Sequence, residues 1–353
     1  MSYFVVTYYA LLIGASCLAA FYKKREVFLL LFSLTLVSFV MGIVGGVSAL
    51  TAVSVGAGLL AFAAGTSYAF REFLIIISPT EIAKELRTAP LTAAFGMFVI
   101  FTYAIAGFFA PYIAPFGEAE VISSAFAPPD ENMLLGADQL GRDTFSRIIY
   151  GARNSVGIAL GATILAFTIG ALCGLLAATK GGWFDQLMGR IADVIMSVPS
   201  LIFALLMLSI FGTNVIVIII VVALIYSPRV FRLARAVAGN IVVMDYIEAA
   251  KLRGEGTWYL IRKEILPNST APLIAEFGLE FCFVFLLIAG LSFLGLGIQP
   301  PTADWGSMVR ENATLISFGD ITPLIPAAAI ALLTVAVNFV VDWMLHRSSG
   351  LKE

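Results

Sequence analysis

The chain has 353 residues, 60% of them hydrophobic and only 12% charged, with a mean hydropathy of +0.98 and a formal net charge of −2. Soluble domains carry about a quarter charged residues, so this composition describes an integral membrane protein. The near-neutral balance, with no basic block, gives no support to nucleic-acid binding, and Cys17, Cys173 and Cys282 each stand alone in an apolar run, leaving no disulfide or metal pattern.

A helix rising 1.5 Å per residue needs about 20 apolar residues to cross roughly 30 Å of hydrocarbon. By that measure spans fall near 3–22, 27–46, 48–67, 91–113, 154–178, 191–211, 214–228, 271–297 and 322–345. The first is followed, not preceded, by its charges "KKRE", the reverse of a cleaved signal peptide. Residues 27–67 carry no charge and are too long for one crossing, so a hairpin reversing at Gly45-Gly46 is predicted. Segment 71–90, "REFLIIISPTEIAKELRTAP", is amphipathic and is expected to lie along the membrane surface. Between the next two spans, "DQLGRD" places Asp138, Arg142 and Asp143 around Gly141, the composition of a turn clipped by a carboxylate–guanidinium pair.

The most charged stretch is "EAAKLRGEGTWYLIRKEILPN", residues 248–268, with seven charges between apolar runs. At about 2.5–3.5 kcal/mol per charge at mid-bilayer, burying them would cost roughly 15–25 kcal/mol, so the loop is aqueous. It also carries folding signals. Asp245 with Glu248 three residues on forms a capping-box pattern, Gly254 suits the position after a helix end, Thr257 can cap a second short helix, and Pro267 is expected to stop it. Ala249-Ala250 is small enough to let another surface approach closely.

Beyond the loop, Glu276 and Glu280 lie four apart on one helix face inside a span, as candidate polar lining of a translocation path. Asp193 and Asp342 fall nearer helix ends, and "QPP" at 299–301 reads as a rigid turn. With the 248–268 loop on the cytoplasmic side, 17 of the 21 Lys and Arg fall in inner loops and 4 (Arg142, Arg147, Arg153 and Arg310) in outer ones, as the positive-inside rule requires. Nine spans then put the N-terminus outside and the C-terminus in the cytoplasm.

Three stretches together resemble a known family. "EAAKLRG…ILPN" is similar to the Glu-Ala-Ala loop of binding-protein-dependent ABC-transporter permeases; "LLGADQLGRDTFSRIIYGARNSVGIAL" (134–160) and "LSFLGLGIQPPTADWGSMV" (291–309) are similar to segments of its dipeptide/oligopeptide members. The resemblance covers roughly residues 89–345. It implies an all-α, polytopic transmembrane bundle: a six-helix type I importer permease domain at 89–353, with an N-terminal extension, 1–88, that adds about three helices. It further implies a bacterial inner-membrane subunit that moves di- or oligopeptides or related solutes. Its partners would be a second homologous permease, two cytoplasmic ATPases and an extracytoplasmic binding protein, all within membrane lipid. In that family the loop is a coupling helix seated in the ATPase. By carry-over Glu248, Ala249, Ala250 and Gly254 make that contact, beside Asp245, with Leu266 and Pro267 ending the element. Asp138, Arg142, Asp143, Gln299 and Pro300 fall on the side that meets the binding protein. No phosphate-binding loop is present, so ATP and magnesium belong to the partner ATPases and this chain carries no cofactor of its own. With one histidine, His346, it has no catalytic His-based set, and the rival class, a self-sufficient secondary transporter or channel, would need an internal driving-ion site and typically internal repeats that are not evident.

Overall fold

The computed structural model describes residues 48–318 and 322–348. The predicted spans 3–22 and 27–46 and the Gly45-Gly46 reversal lie outside the described residues. Backbone contacts divide the chain into two units between Phe98 and Val99.

In the first unit, α1 (Ser48–Ile77) runs ten residues past the predicted end of its span. The segment expected to lie along the membrane surface is therefore split. Its first part, Arg71 to Ile77, completes α1, and only α2 (Thr80–Thr88), after Pro79, is a separate amphipathic helix. Arg71 is accommodated by pairing with Glu72 at 3.6 Å, stacking over Tyr68 at 5.1 Å and donating to the Ala89 carbonyl.

Helix α3 (Leu91–Phe108) crosses the boundary between units, and a single turn, α4 (Ala110–Ile113), follows. The second unit then contains α5 (Thr144–Lys180), α6 (Gly182–Met196), α7 (Ser200–Phe211), α8 (Val215–Val242), α9 (Asp245–Leu252), α10 (Thr257–Phe293), α11 (Trp305–Asn312) and α12 (Leu324–Ser348). Among the described residues six helices are long and apolar enough to cross a membrane, or seven if α6 and α7 are one broken span.

That break corrects the expected span 191–211. Pro199 lacks an N–H and disfavours helical backbone at the residue before it, and α6 and α7 meet at 86°. At 15 and 12 residues, neither arm reaches across the hydrocarbon alone.

The other prolines do not break their helices. Pro228 sits inside α8, which runs 14 residues beyond the predicted 228; the Leu224 carbonyl that loses its N–H partner accepts instead from the Ser227 hydroxyl at 3.3 Å. Pro267, expected to stop a short helix, lies within α10, a continuous 37-residue helix. The wider π turn at Leu260–Ile265 just before it makes room for the ring.

The tightest packing is α5 on α8. Ala159, Ala162, Ala166, Gly170 and Gly174 form a small-residue stripe on α5. A Cβ added to Gly170 would stand 2.5 Å from the Ser227 carbonyl oxygen, and one on Gly174 2.7 Å from that of Phe231. This is the G-x-x-x-G geometry by which membrane helices bring backbones together when lipid removes the hydrophobic drive. Gly174→Ile is therefore expected to lower the membrane level of the chain, through overpacking of about 1–3 kcal/mol or more. Gly157→Ala on the same helix, with nothing within 4 Å of the new methyl, is expected to be neutral or stabilising. Thermal stability of the two variants in detergent checks this.

Candidate functional site

The loop at 245–268 is built on the core. Helix α9 buries Ile247 and Ala250 against Leu175 of α5, Ala238 and Ile241 of α8, and Leu260, Ile261 and Ile265 of α10. Its opposite face, with Glu248 and Ala249, is exposed. Around that face stand bare apolar side chains: Val243 (80% exposed) and Leu252 (83%), with Met244 and Tyr246. An aqueous helix seldom shows so much apolar surface unless a partner covers it.

The ends of α9 differ from expectation at one side and agree at the other. Met244, not Asp245, is the N-cap, with extended backbone and no side-chain cap bond, so the capping box between Asp245 and Glu248 does not form. Both carboxylates instead occupy the first turn, where the helix dipole favours them. Likewise Gly256, not Thr257, caps the next helix. Gly254 does take a left-handed conformation, φ +82°. The Gly254 N–H donates to the Lys251 carbonyl at 2.9 Å and the Glu255 N–H to that of Ala250 at 3.2 Å, a Schellman closure. Leu266 and Pro267 are exposed but, being inside α10, end nothing.

Within the bundle, Glu280 is fully buried and Glu276, one turn earlier, is half-buried. The Glu280 carboxylate lies 3.5 Å from Arg229 Nε and accepts no hydrogen bond among the described residues. The Arg229 guanidinium rests over the rings of Phe283 (4.7 Å) and Tyr226 (5.6 Å). Asp193, by contrast, pairs with Arg232 at an exposed position, and Asp342 is exposed.

At the far end of the bundle the "DQLGRD" turn is indeed clipped by charge, but its side chains are buried. Asp138 accepts from Arg142 Nε at 2.7 Å and lies 3.3 Å from Arg147 Nε; Glu311 of α11 accepts from Arg142 at 3.1 Å and stands 3.7 Å from Arg147. Two carboxylates and two guanidiniums thus neutralise one another out of water. Asp143 is the N-cap of α5, accepting from the Ser146 N–H at 2.8 Å. Asp138, Arg142 and Asp143 therefore shape this face from beneath, whereas Gln299 and Pro300 are exposed on it.

Sequence reasoning missed the residues that knit this end together. Asp304 caps α11 and accepts from the Ser307 N–H and the Ser155 hydroxyl, both at 2.8 Å. Burial raises its carboxyl pKa, and the hydrogen bonds from Ser307, Ser155 and Ser292 work against that rise. Trp305 is buried against Gly151 and donates from its indole to the Ile148 carbonyl at 3.0 Å. Glu118 accepts from Asn154 (3.0 Å) and the Ala303 N–H (2.9 Å). The Asp304-x-x-Ser307 spacing is a local capping signal that the sequence offered; the Arg147–Glu311 pairing, across 164 residues, has none.

A polytopic helical bundle with a folded, apolar-faced aqueous loop at one end defines the class, and sequence comparison gives the family. Residues 170–349 match the family described as binding-protein-dependent transport system inner membrane component. The chain is 34% identical over 254 residues to the di/tripeptide transport system permease protein DppC of Pseudomonas aeruginosa (strain UCBPP-PA14), covering 70% of this chain and 84% of that one. It is 33% identical to the glutathione transport system permease protein GsiD of Pectobacterium atrosepticum (74% and 87% covered) and 32% to the probable D,D-dipeptide transport system permease protein DdpC of Escherichia coli K12 (74% and 88%). The chain belongs to the binding-protein-dependent transport system inner membrane components. It is a multi-pass permease subunit of an ABC transport system, not an enzyme, and the family implies separate ATPase partners.

Proposed function

We propose that this permease serves an importer of di- or oligopeptides or related small solutes, and that α9 is the element through which ATPase closure drives it. The observation that carries the coupling reading is the division of α9 into two faces: Ile247 and Ala250 anchored in the bundle, and an exposed face of Glu248 and Ala249 bordered by Leu252 and Val243. Such a helix can take a push from a partner and deliver it to three packed helices. The peptide-type substrate is supported by the relatives, which are named for di/tripeptide, glutathione and D,D-dipeptide transport.

In this reading the domain at 89–353 pairs with a second homologous permease, and residues 1–88 form an extension. Two cytoplasmic ATPases carrying ATP and magnesium seat on α9. An extracytoplasmic binding protein meets the end that exposes Gln299 and Pro300. Glu276, half-buried, lines the path between them, with the fully buried Glu280 behind it beside Arg229. The N-terminus lies outside and the C-terminus in the cytoplasm. Leu252→Glu should insert normally but lose co-purification with the ATPase subunits, because a charge replaces an exposed apolar contact, while Lys263→Ala keeps them. Retention of the ATPases by Leu252→Glu would remove α9 from the interface. Orientation is checked by impermeant thiol labelling in a background free of Cys17, Cys173 and Cys282: Gln299→Cys should react in intact cells and Lys251→Cys only after permeabilisation.

A further inference from the structure

A groove of about 550 Å³ opens between α5 and α10, within the roughly 300–1,000 Å³ typical of small-molecule sites. Its walls are apolar: Phe167 and Leu172 from α5, and Leu273, Ile274 and Phe277 from α10. The two wall hydroxyls are already used within their own helices, Thr168 donating to the Ile164 carbonyl and Thr270 to that of Leu266, both at 2.7 Å. The depth of the groove therefore offers an occupant nothing but hydrocarbon contact.

One end is different. Trp258 and Arg262 border it there, on the π turn and the first residues of α10, where the helix leaves the apolar run for the charged loop. Arg262 is exposed and has no carboxylate partner among the described residues. From Arg262 to Phe277 is fifteen residues of helix, about 22 Å, which equals half of a bilayer of roughly 40–45 Å measured with its headgroups. The groove is thus one leaflet deep, apolar along its length, with an indole and an unpaired cation at headgroup level. A protein helix filling the same space would have to bring its own carboxylate to Arg262; a phospholipid brings a phosphate at that depth by its construction.

We propose that this groove holds one anionic phospholipid, with an acyl chain between α5 and α10 and its phosphate on Arg262. The inference rests on the membrane-spanning assignment of these helices and is independent of the transported substrate. Basic pockets between membrane helices on the cytoplasmic side recognise anionic headgroups, each Lys or Arg near the surface contributing about 1 kcal/mol.

The test uses the full-length chain purified with its partner subunits and incorporated into nanodiscs containing equal parts of phosphatidylglycerol and phosphatidylethanolamine, with retained lipid counted by native mass spectrometry. Wild type is expected to retain one phosphatidylglycerol in preference to phosphatidylethanolamine. Arg262→Gln should reduce that preference about fivefold, the equivalent of about 1 kcal/mol. Ala171→Trp, which fills the groove and leaves Arg262 in place, should lose the lipid whatever its headgroup. Equal retention of the two lipids by wild type, or an unchanged preference in Arg262→Gln, overturns the proposal. So does efficient cross-linking of Ile274→Cys to the second permease with no lipid retained, since a protein would then be the occupant.

Discussion

Gly254→Val is expected to reach the membrane at the normal level and to lose about five- to thirty-fold of its uptake. The space around Gly254 is open, so the cost is conformational: a branched Cβ at φ +82° opposes the left-handed backbone by about 1–2 kcal/mol. That shift lowers the ratio of correctly closed to open α9 by about five- to thirty-fold, and uptake follows it where closure in the wild type is marginal. Insertion is spared because Ile247 and Ala250 still anchor the helix. Gly254→Asn should be milder, since asparagine tolerates this conformation. Glu248→Ala is expected to cost the chain's own stability only about 0.3–1 kcal/mol, because within the chain Glu248 meets only the helix dipole and closes no capping box. Uptake, membrane level and ATPase co-purification measured together decide the matter. Normal uptake by Gly254→Val at normal expression would make this loop a plain connection.

Glu311→Ala is expected to cost more in stability than any surface change, about 3–5 kcal/mol, because it leaves a buried guanidinium unmatched. Arg142 and Arg147 would share the single carboxylate of Asp138, all three side chains at most 3% exposed. The double variant Arg142→Met/Glu311→Leu should recover much of the loss. It removes one charge of each sign and leaves Asp138 and Arg147 paired at 3.3 Å. Denaturation midpoints of the purified complex check both, and a double variant as weak as the single one would show that the two charges act separately.

The apolar runs and the charged loop were legible because lipid imposes a length and a polarity that composition must obey. Prolines were not. Pro199, Pro228 and Pro267 look alike in sequence, yet only the first breaks its span. What rescues the others is a hydroxyl at Ser227 and a π turn at Leu260–Ile265. The cap of α9 falls one residue early because Met244, leaving α8, is the residue that takes extended backbone, and cap propensity alone favours Asp245. The clip at Asp138 and Arg142, being local, was readable, whereas Glu311 reaches it only through the fold. The Gly170-x-x-x-Gly174 pattern stood in the sequence throughout and predicts the closest helix pair.

Because Pro267 does not interrupt α10, one continuous helix of 37 residues, about 55 Å long, joins the foot of the charged loop to Ser292. Its lower end packs against Ile247 and Ala250, and its upper end stands against Gly297 and Gly306, beside the Asp304 cap. The helix is a connecting rod. In the coupling reading proposed above, a tilt imposed at its foot by α9 would reach its other end without any intervening loop to absorb it. The π turn near the foot and Pro272 above it are the softened joints, both in the lower half of the helix, and the shaft beyond them has no interior proline.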